Sequence, residues 1–326
     1  MNETELYPLV MAPSYRSGAE TPWGGGALRE KFGKDAPEGI TGESLEISAL
    51  PGHESRAANG PLRGRTVGEI FARWGRDLTG SEAQSFPLLL KLLDAKGFLS
   101  VQVHPDDAYA LAREGKKGKC EAWYILDAAP GARLVYGVDT RGEDLRAVVE
   151  SGRLESCLRW VDARPGDVFY IPSGTVHALG PGIQCYEIQE SSDVTYRFWD
   201  WGRKDAAGRS RELHTEQALA VARPGVPPVS SGTAGKTAPG GAETVLAEDP
   251  HFRLSALDLH GRYTLPDGCM RFLTAVAPCV ISWGTQSVSV APYQSVLIPA
   301  GLKDVRAEGN GRVLLSCGQR SGKAEG

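Results

Sequence analysis

The sequence predicts a mainly β protein made of two small barrels with a few helices, the second barrel a degenerate copy of the first. Three observations carry this. The 326 residues include 40 Gly and 21 Pro, a density of turn formers that suits many short strands better than a helical bundle. Short segments of strand-like composition recur with turn residues between them, the pattern of a β-sandwich or a small barrel. One strand–turn unit also occurs twice, as DVFYIPSGTVH at 167–177 and QSVLIPAGLKD at 294–304, which favours two related barrels.

The elements follow in chain order. Thr66 is an N-cap with Glu69 at the capping-box spacing, so a helix starts there. Residues 81–93 hold FPLLLKLL, an apolar run that periodicity leaves open between helix and buried strand. Strands are expected at 99–104 (LSVQVH), 121–126 (EAWYIL), 132–137 (ARLVYG), 167–171 (DVFYI) and 183–188 (IQCYEI). RELHTEQALAVA at 211–222 reads as a helix with Ser210 as its N-cap. Residues 222–242 (ARPGVPPVSSGTAGKTAPGGA) lack apolar periodicity and read as a linker or long surface loop. Four more strands follow, at 271–276, 280–283, 287–290 and 295–298. The expected organisation is therefore an N-terminal domain at 1–221, a linker at 222–242 and a C-terminal domain at 243–326.

Composition narrows the function classes. Lys plus Arg number 36 and Asp plus Glu 40, a net charge of −4. That balance argues against non-specific nucleic-acid binding, which needs a basic footprint. No apolar run approaches the roughly 20 residues of a membrane span. The acidic N-terminus, MNETELYPLV, lacks the apolar core of a secretory signal. The six cysteines show no CxxC spacing and read as reduced thiols of a cytoplasmic protein.

The chemistry-bearing residues lie between positions 91 and 197. On a strand, residues two apart share a face, so Gln102 and His104 project together, as do Lys119 and Glu121. Each pair alone reads as a solvated strand end. Gly166, Pro172, Gly174 and His177 have the spacing of the second motif of cupin barrels, in which that His is a metal ligand; the terminal Asn of the motif is replaced by Pro181. His104, Glu121 and His177 together are two imidazoles and a carboxylate, a common catalytic zinc set that equally suits non-haem iron(II). Gln102 adds a neutral oxygen. Three cations, Lys91, Lys119 and Arg197, lie near these positions in sequence, and a bidentate Arg suits a phosphate or an oxyanion. The remaining histidines, His53, His214, His251 and His260, read as structural or surface residues, and Trp199 and Trp201 as strand neighbours packed together.

FPLLLKLLDAKGFLSVQVHPDDAYA, GKCEAWYIL, GDVFYIPSGTVHAL, SSDVTYRFWDWGR and RELHTEQAL, in this order, resemble the type I mannose-6-phosphate isomerases in their shorter bacterial form. The resemblance covers about residues 18–220. It implies cupin-type jelly-roll barrels, one Zn2+ per chain, and interconversion of mannose 6-phosphate and fructose 6-phosphate through a cis-enediolate. It implies Gln102, His104, Glu121 and His177 as metal ligands and sets Lys91, Lys119 and Arg197 at positions that line the substrate pocket. For the reaction itself, Arg197 is expected to stabilise the oxyanion, and Lys119 or a zinc-bound water to move the proton, with a hydride shift as a third route. Lys91 and Ser100, the latter on the face of Gln102 and His104, are the candidates for the phosphate. The partner is then a small sugar phosphate, with no nucleic acid and no membrane. Leu45 and Cys120 depart from the family pattern without touching the implied ligands. The second copy of the strand–turn unit has Asp304 at the place of His177, so no second metal is expected. Two other readings fit parts of the pattern: a sugar- or metal-binding cupin without turnover, and an iron-dependent cupin dioxygenase.

Overall fold

The structure, a computed structural model, describes residues 5–205, 207–228 and 232–318. The chain forms two compact units, one from residues 1–14, 44–91 and 231–326, the other from 15–43 and 92–230. Within the 222–242 segment, residues 229–231 lie outside the described residues, and Thr233–Ala238 is a strand paired with Gly241–Glu248.

The first unit is built on a ten-stranded sheet. Its spine is two 13-residue strands, Phe252–Thr264 and Arg306–Gly318, paired antiparallel along their whole length. Arg271–Ala275 and Ser295–Ile298 continue the sheet, and Leu9–Ala12 from the start of the chain adds to Ser295–Ile298 with Leu9 opposite Leu297. Leu257, Leu273, Ile281, Val296 and Val313 form its apolar core. One carboxylate is buried beside this core, and hydroxyls satisfy it. Glu46 accepts from Ser44 Oγ at 2.6 Å and from Ser295 Oγ at 2.9 Å. The helix Val67–Thr79 starts at Thr66 with a complete capping box, Glu69 reaching back to the Thr66 N–H, and stops at Gly80 in the left-handed conformation.

The second unit carries two sheets. A five-stranded one has the order Tyr196–Trp199, Val101–Val103, His177–Ala178, Arg133–Val138, Leu158–Asp162. A six-stranded one has the order Val168–Ile171, Glu121–Ala128, Ile183–Glu190, Leu88–Ala95, Thr41–Ile47, Ser14–Ser17; its last three strands carry the chain from one unit to the other. The 86–93 run thus contributes a buried strand. Leu134 and Tyr136 of the smaller sheet share one core with Trp123, Ile125, Phe169 and Cys185 of the larger, so the sheets pack face to face. Val101, Val103, Tyr196 and Phe198 point the other way, under Ala218 of the helix Thr215–Val221. This alternation sends Gln102 and Arg197 to the face that looks at the larger sheet.

Two expectations are corrected. Among the described residues the cupin-type barrels are absent, because every sheet is open. The strand order of each runs from one edge to another, Val168–Ile171 to Ser14–Ser17 and Tyr196–Trp199 to Leu158–Asp162 in the second unit, Thr233–Ala238 to Arg56–Ala57 in the first, and no pairing among the described residues joins the edges. Closure needs exactly that edge pairing, which neither strand length nor turn chemistry encodes. The helix expected at 211–222 begins only at Thr215, with His214 at the N-cap position. Ser210 is instead bridged to Lys204, and Arg211 is drawn to Asp200 at 3.7 Å. No helix among the described residues is long and apolar enough to cross a membrane.

Candidate metal centre

The centre lies between the two sheets of the second unit. His177 stands opposite Gln102 across the smaller sheet, and Gln102 stands opposite Arg197 on its other side. The backbone N–H of Arg197 donates to His214 Nδ1, and its carbonyl accepts from the His214 N–H, so neither group bonds to the Gln102 strand. Arg197 and Gln102 are therefore a non-hydrogen-bonded antiparallel pair, the kind that brings side chains closest. His104 follows one residue after the end of the Gln102 strand. Glu121 opens the strand Glu121–Ala128 of the larger sheet, and Lys119 precedes it by two.

His104, Glu121 and His177 are all buried, and their ligand atoms lie within 4.8 Å of one another. Both imidazoles are aimed by the backbone. His104 Nδ1 is 2.9 Å from the Val194 carbonyl and His177 Nδ1 is 2.9 Å from the Thr175 carbonyl. A carbonyl only accepts, so each Nδ1 carries the proton and each Nε2 is left with a lone pair. These lone pairs face the carboxylate, with His177 Nε2 at 3.2 Å from Glu121 Oε1 and His104 Nε2 at 3.6 Å from Glu121 Oε2. Acceptors facing acceptors in a buried space need a cation among them. The Lys119 ammonium approaches from one side, 2.8 Å from Glu121 Oε2 and 3.1 Å from His104 Nε2, yet neither carboxylate oxygen receives an aligned hydrogen bond. The donor set and its orientation fit a metal ion, and outer-sphere carbonyls of this kind commonly fix ligand imidazoles.

Electrostatics agree with that reading. Burial, reinforced by the charge of Lys119, holds His104 well below the usual histidine range, so it stays neutral and able to ligate. Burial pushes Glu121 upward, but the charge of Lys119 beside it outweighs that and holds its carboxyl well below the usual carboxylate range. Gln102 places its amide nitrogen 3.3 Å from His177 Nε2 while its oxygen accepts from Ser100 Oγ at 3.3 Å. Turning the amide over would present the oxygen to the centre instead.

Seven of the eight residues singled out in the sequence, Ser100, Gln102, His104, Lys119, Glu121, His177 and Arg197, fall in this unit, and six of them share one network of contacts. Arg197 joins through its register with Gln102; its guanidinium donates to the Glu212 carbonyl at 2.7 Å, and burial lowers its pKa. Lys91 is buried on the strand Leu88–Ala95 and belongs to the other unit. Sequence reasoning missed Trp123, whose ring meets His177 edge-on at 5.4 Å and whose indole donates to Glu187 Oε2 at 2.8 Å. Strand alternation could have found it, two residues beyond Glu121. The carbonyls of Val194 and Thr175 leave no side-chain signal.

Comparison with known proteins gives the same direction. The family profile described as phosphomannose isomerase type I, catalytic domain, matches residues 15–124. A mannose-6-phosphate isomerase of Streptococcus mutans is 37% identical over 297 residues, which cover 90% of this chain and 94% of that protein. A mannose-6-phosphate isomerase of Bacillus subtilis is 37% identical over 318 residues, covering 95% and 98%. The crystal structure of a mannose 6-phosphate isomerase from Bacillus subtilis superposes with a TM-score of 0.89 at 33% identity, covering 95% of this chain and 99% of that one. The chain is an enzyme of the isomerase class. It belongs to the type I mannose-6-phosphate isomerase family.

Proposed function

We propose that the chain interconverts mannose 6-phosphate and fructose 6-phosphate, with one Zn2+ held by His104, Glu121, His177 and Gln102. The observation that carries this is the pair of imidazole lone pairs converging on the Glu121 carboxylate, with Arg197 in register beside Gln102. When bound there, the ion supplies Lewis acidity and a template for the two substrate oxygens. Chemistry at C1 and C2 requires an open sugar, removal of the proton at one carbon and its return at the other. Lys119 is the residue to which we assign that proton, and its burial beside Glu121 supports the assignment. Arg197 faces the oxyanion of the cis-enediolate, the species whose charge limits an uncatalysed reaction. Ser100, just ahead of the Gln102 strand, is assigned to the substrate phosphate. The same role for Lys91 rests on the family resemblance alone. The six cysteines are unbridged, which supports a reducing, cytoplasmic setting.

The test is a coupled assay on metal-analysed protein with mannose 6-phosphate, following fructose 6-phosphate before chelation, after chelation and after zinc is returned. Turnover that chelation abolishes and zinc restores is expected. No turnover with one zinc bound per chain would sink the substrate assignment. Full turnover after complete metal removal would sink the metal assignment.

A further inference from the structure

Trp201 has φ of 59°, in the left-handed region. For a bulky aromatic residue this conformation is strained and persists only where the surroundings over-determine it. Here they do. The Trp201 indole N–H donates to the Leu99 carbonyl at 2.6 Å. Its ring packs on Phe98 at 4.5 Å and on Trp199 at 4.3 Å, with Trp160 at 5.9 Å. Two residues on, the Arg203 guanidinium donates to the Phe98 carbonyl. The turn after the Arg197 strand is thus fastened to the backbone just ahead of Ser100 and Gln102.

That fastening matters because the strand it ends is short and irregular. Tyr196–Trp199 is an edge strand of four residues, and its register with Val101–Val103 shifts between Arg197 and Trp199. A slip of one residue would turn Arg197 to the opposite face, away from Gln102. Few ladder bonds resist such a slip, since the Arg197 backbone is engaged by His214.

We propose that Trp201 is a positioning residue for Arg197. Its indole fixes the register of the edge strand and so holds the guanidinium on the face of the metal centre. The inference rests on the reading that Arg197 serves the reaction.

The experiment is a double-mutant cycle on the zinc-loaded full chain, with Trp201→Ala, Arg197→Lys and the pair, reading kcat, KM, zinc content and melting temperature. Misplacing a catalytic group by about 1 Å can cost up to about 10²-fold, so Trp201→Ala should lower kcat by about tenfold or more. Zinc should stay at one per chain, and KM should move less than about threefold. In the Arg197→Lys background the same change should cost less than about threefold, because the group it acts through is already altered. Losses that multiply would overturn the proposal, as would a Trp201→Ala protein with the parent kcat. If Trp201→Ala fails to fold, Trp201→Phe carries the test: it keeps ring packing but deletes the N–H donor. It should lose activity in the parent and not in Arg197→Lys, and full activity in Trp201→Phe would overturn the proposal. A fully active Arg197→Lys would instead overturn the role of Arg197, whatever Trp201 does.

Discussion

Glu121 is the only anionic member of the candidate ligand triad, and it is fully buried. Glu121→Gln keeps the shape and removes the charge, so metal affinity should fall by about tenfold or more in competition with a chelator. Unchanged affinity would show that Glu121 is no ligand. His104 ties the same site to pH. Its folded-state pKa lies below the ordinary value of about 6.5. Below that pH the unfolded chain takes up a proton that the folded site refuses. Stability of the chelated protein is therefore full above about pH 6.5 and is lost as pH falls through the folded value. Melting temperatures between pH 7 and 5 should show this slope, and His104→Gln should flatten it. A third residue gives a control: burial pushes the Cys279 thiol up to about 11, so iodoacetamide at pH 8 should label it only after unfolding. At this scale the sequence was most legible. Alternation on strands paired Gln102 with His104 and Lys119 with Glu121, and the Pro172–Gly174 turn singled out His177. What stayed hidden is what aims the rings, the main-chain carbonyls of Val194 and Thr175, since a carbonyl has no identity in sequence.

Elements differ in how far local chemistry determines them. The helix after Thr66 is specified by its cap, and Thr66→Ala should cost about 1 kcal/mol, seen as a lower urea midpoint with unchanged slope. The strand Arg133–Val138 bends where Gly137 has φ of 99°, and a Cβ there would lie 2.2 Å from the Gly225 carbonyl oxygen. Gly137→Ala should therefore destabilise by about 2 kcal/mol or more. It should also disturb metal binding, because Tyr136 next to it pairs with His177. A stable Gly137→Ala with normal affinity would contradict that coupling. The helix placed too early at 211 failed for a tertiary reason. Its first residues are good helix formers, but Arg211 is held by Asp200, and the backbone of His214 is committed to Arg197. The duplicated strand–turn unit was legible and extends to backbone conformation. Gly166 and Tyr293, which precede the two copies, both have positive φ, 93° and 60°. Whether the strands so marked close into barrels was not legible, because that depends on which edges meet.

The division of the whole molecule is not linear in the chain. The first unit draws on three separate segments and the second on two, so the chain passes from one to the other four times. A protein truncated after residue 221 would leave Leu9–Ala12 without Ser295–Ile298 and remove most of the core around Leu257 and Val313. It should therefore fail to give a cooperative, active fold, as judged by near-UV circular dichroism and turnover. A soluble and active fragment would show that the second unit suffices alone. The expectation of a boundary at 222–242 rests on composition, which reports turn formers and not where the chain returns to an earlier strand.

The pairing of Leu9 with Leu297 also sets a clock on biosynthesis. A chain emerges from the ribosome from its N-terminus at roughly 5–20 residues per second. The proposed ligands, from Gln102 to His177, and the rest of the second unit are all made by residue 230. The opening strand of the first unit, paired on one side with Arg56–Ala57, must wait for almost the whole remainder of the chain for Ser295–Ile298 on its other side. The candidate ligands are thus all made before the strands that complete the first unit, whose apolar core stays open to chaperones until Phe252–Thr264 and Arg306–Gly318 have paired.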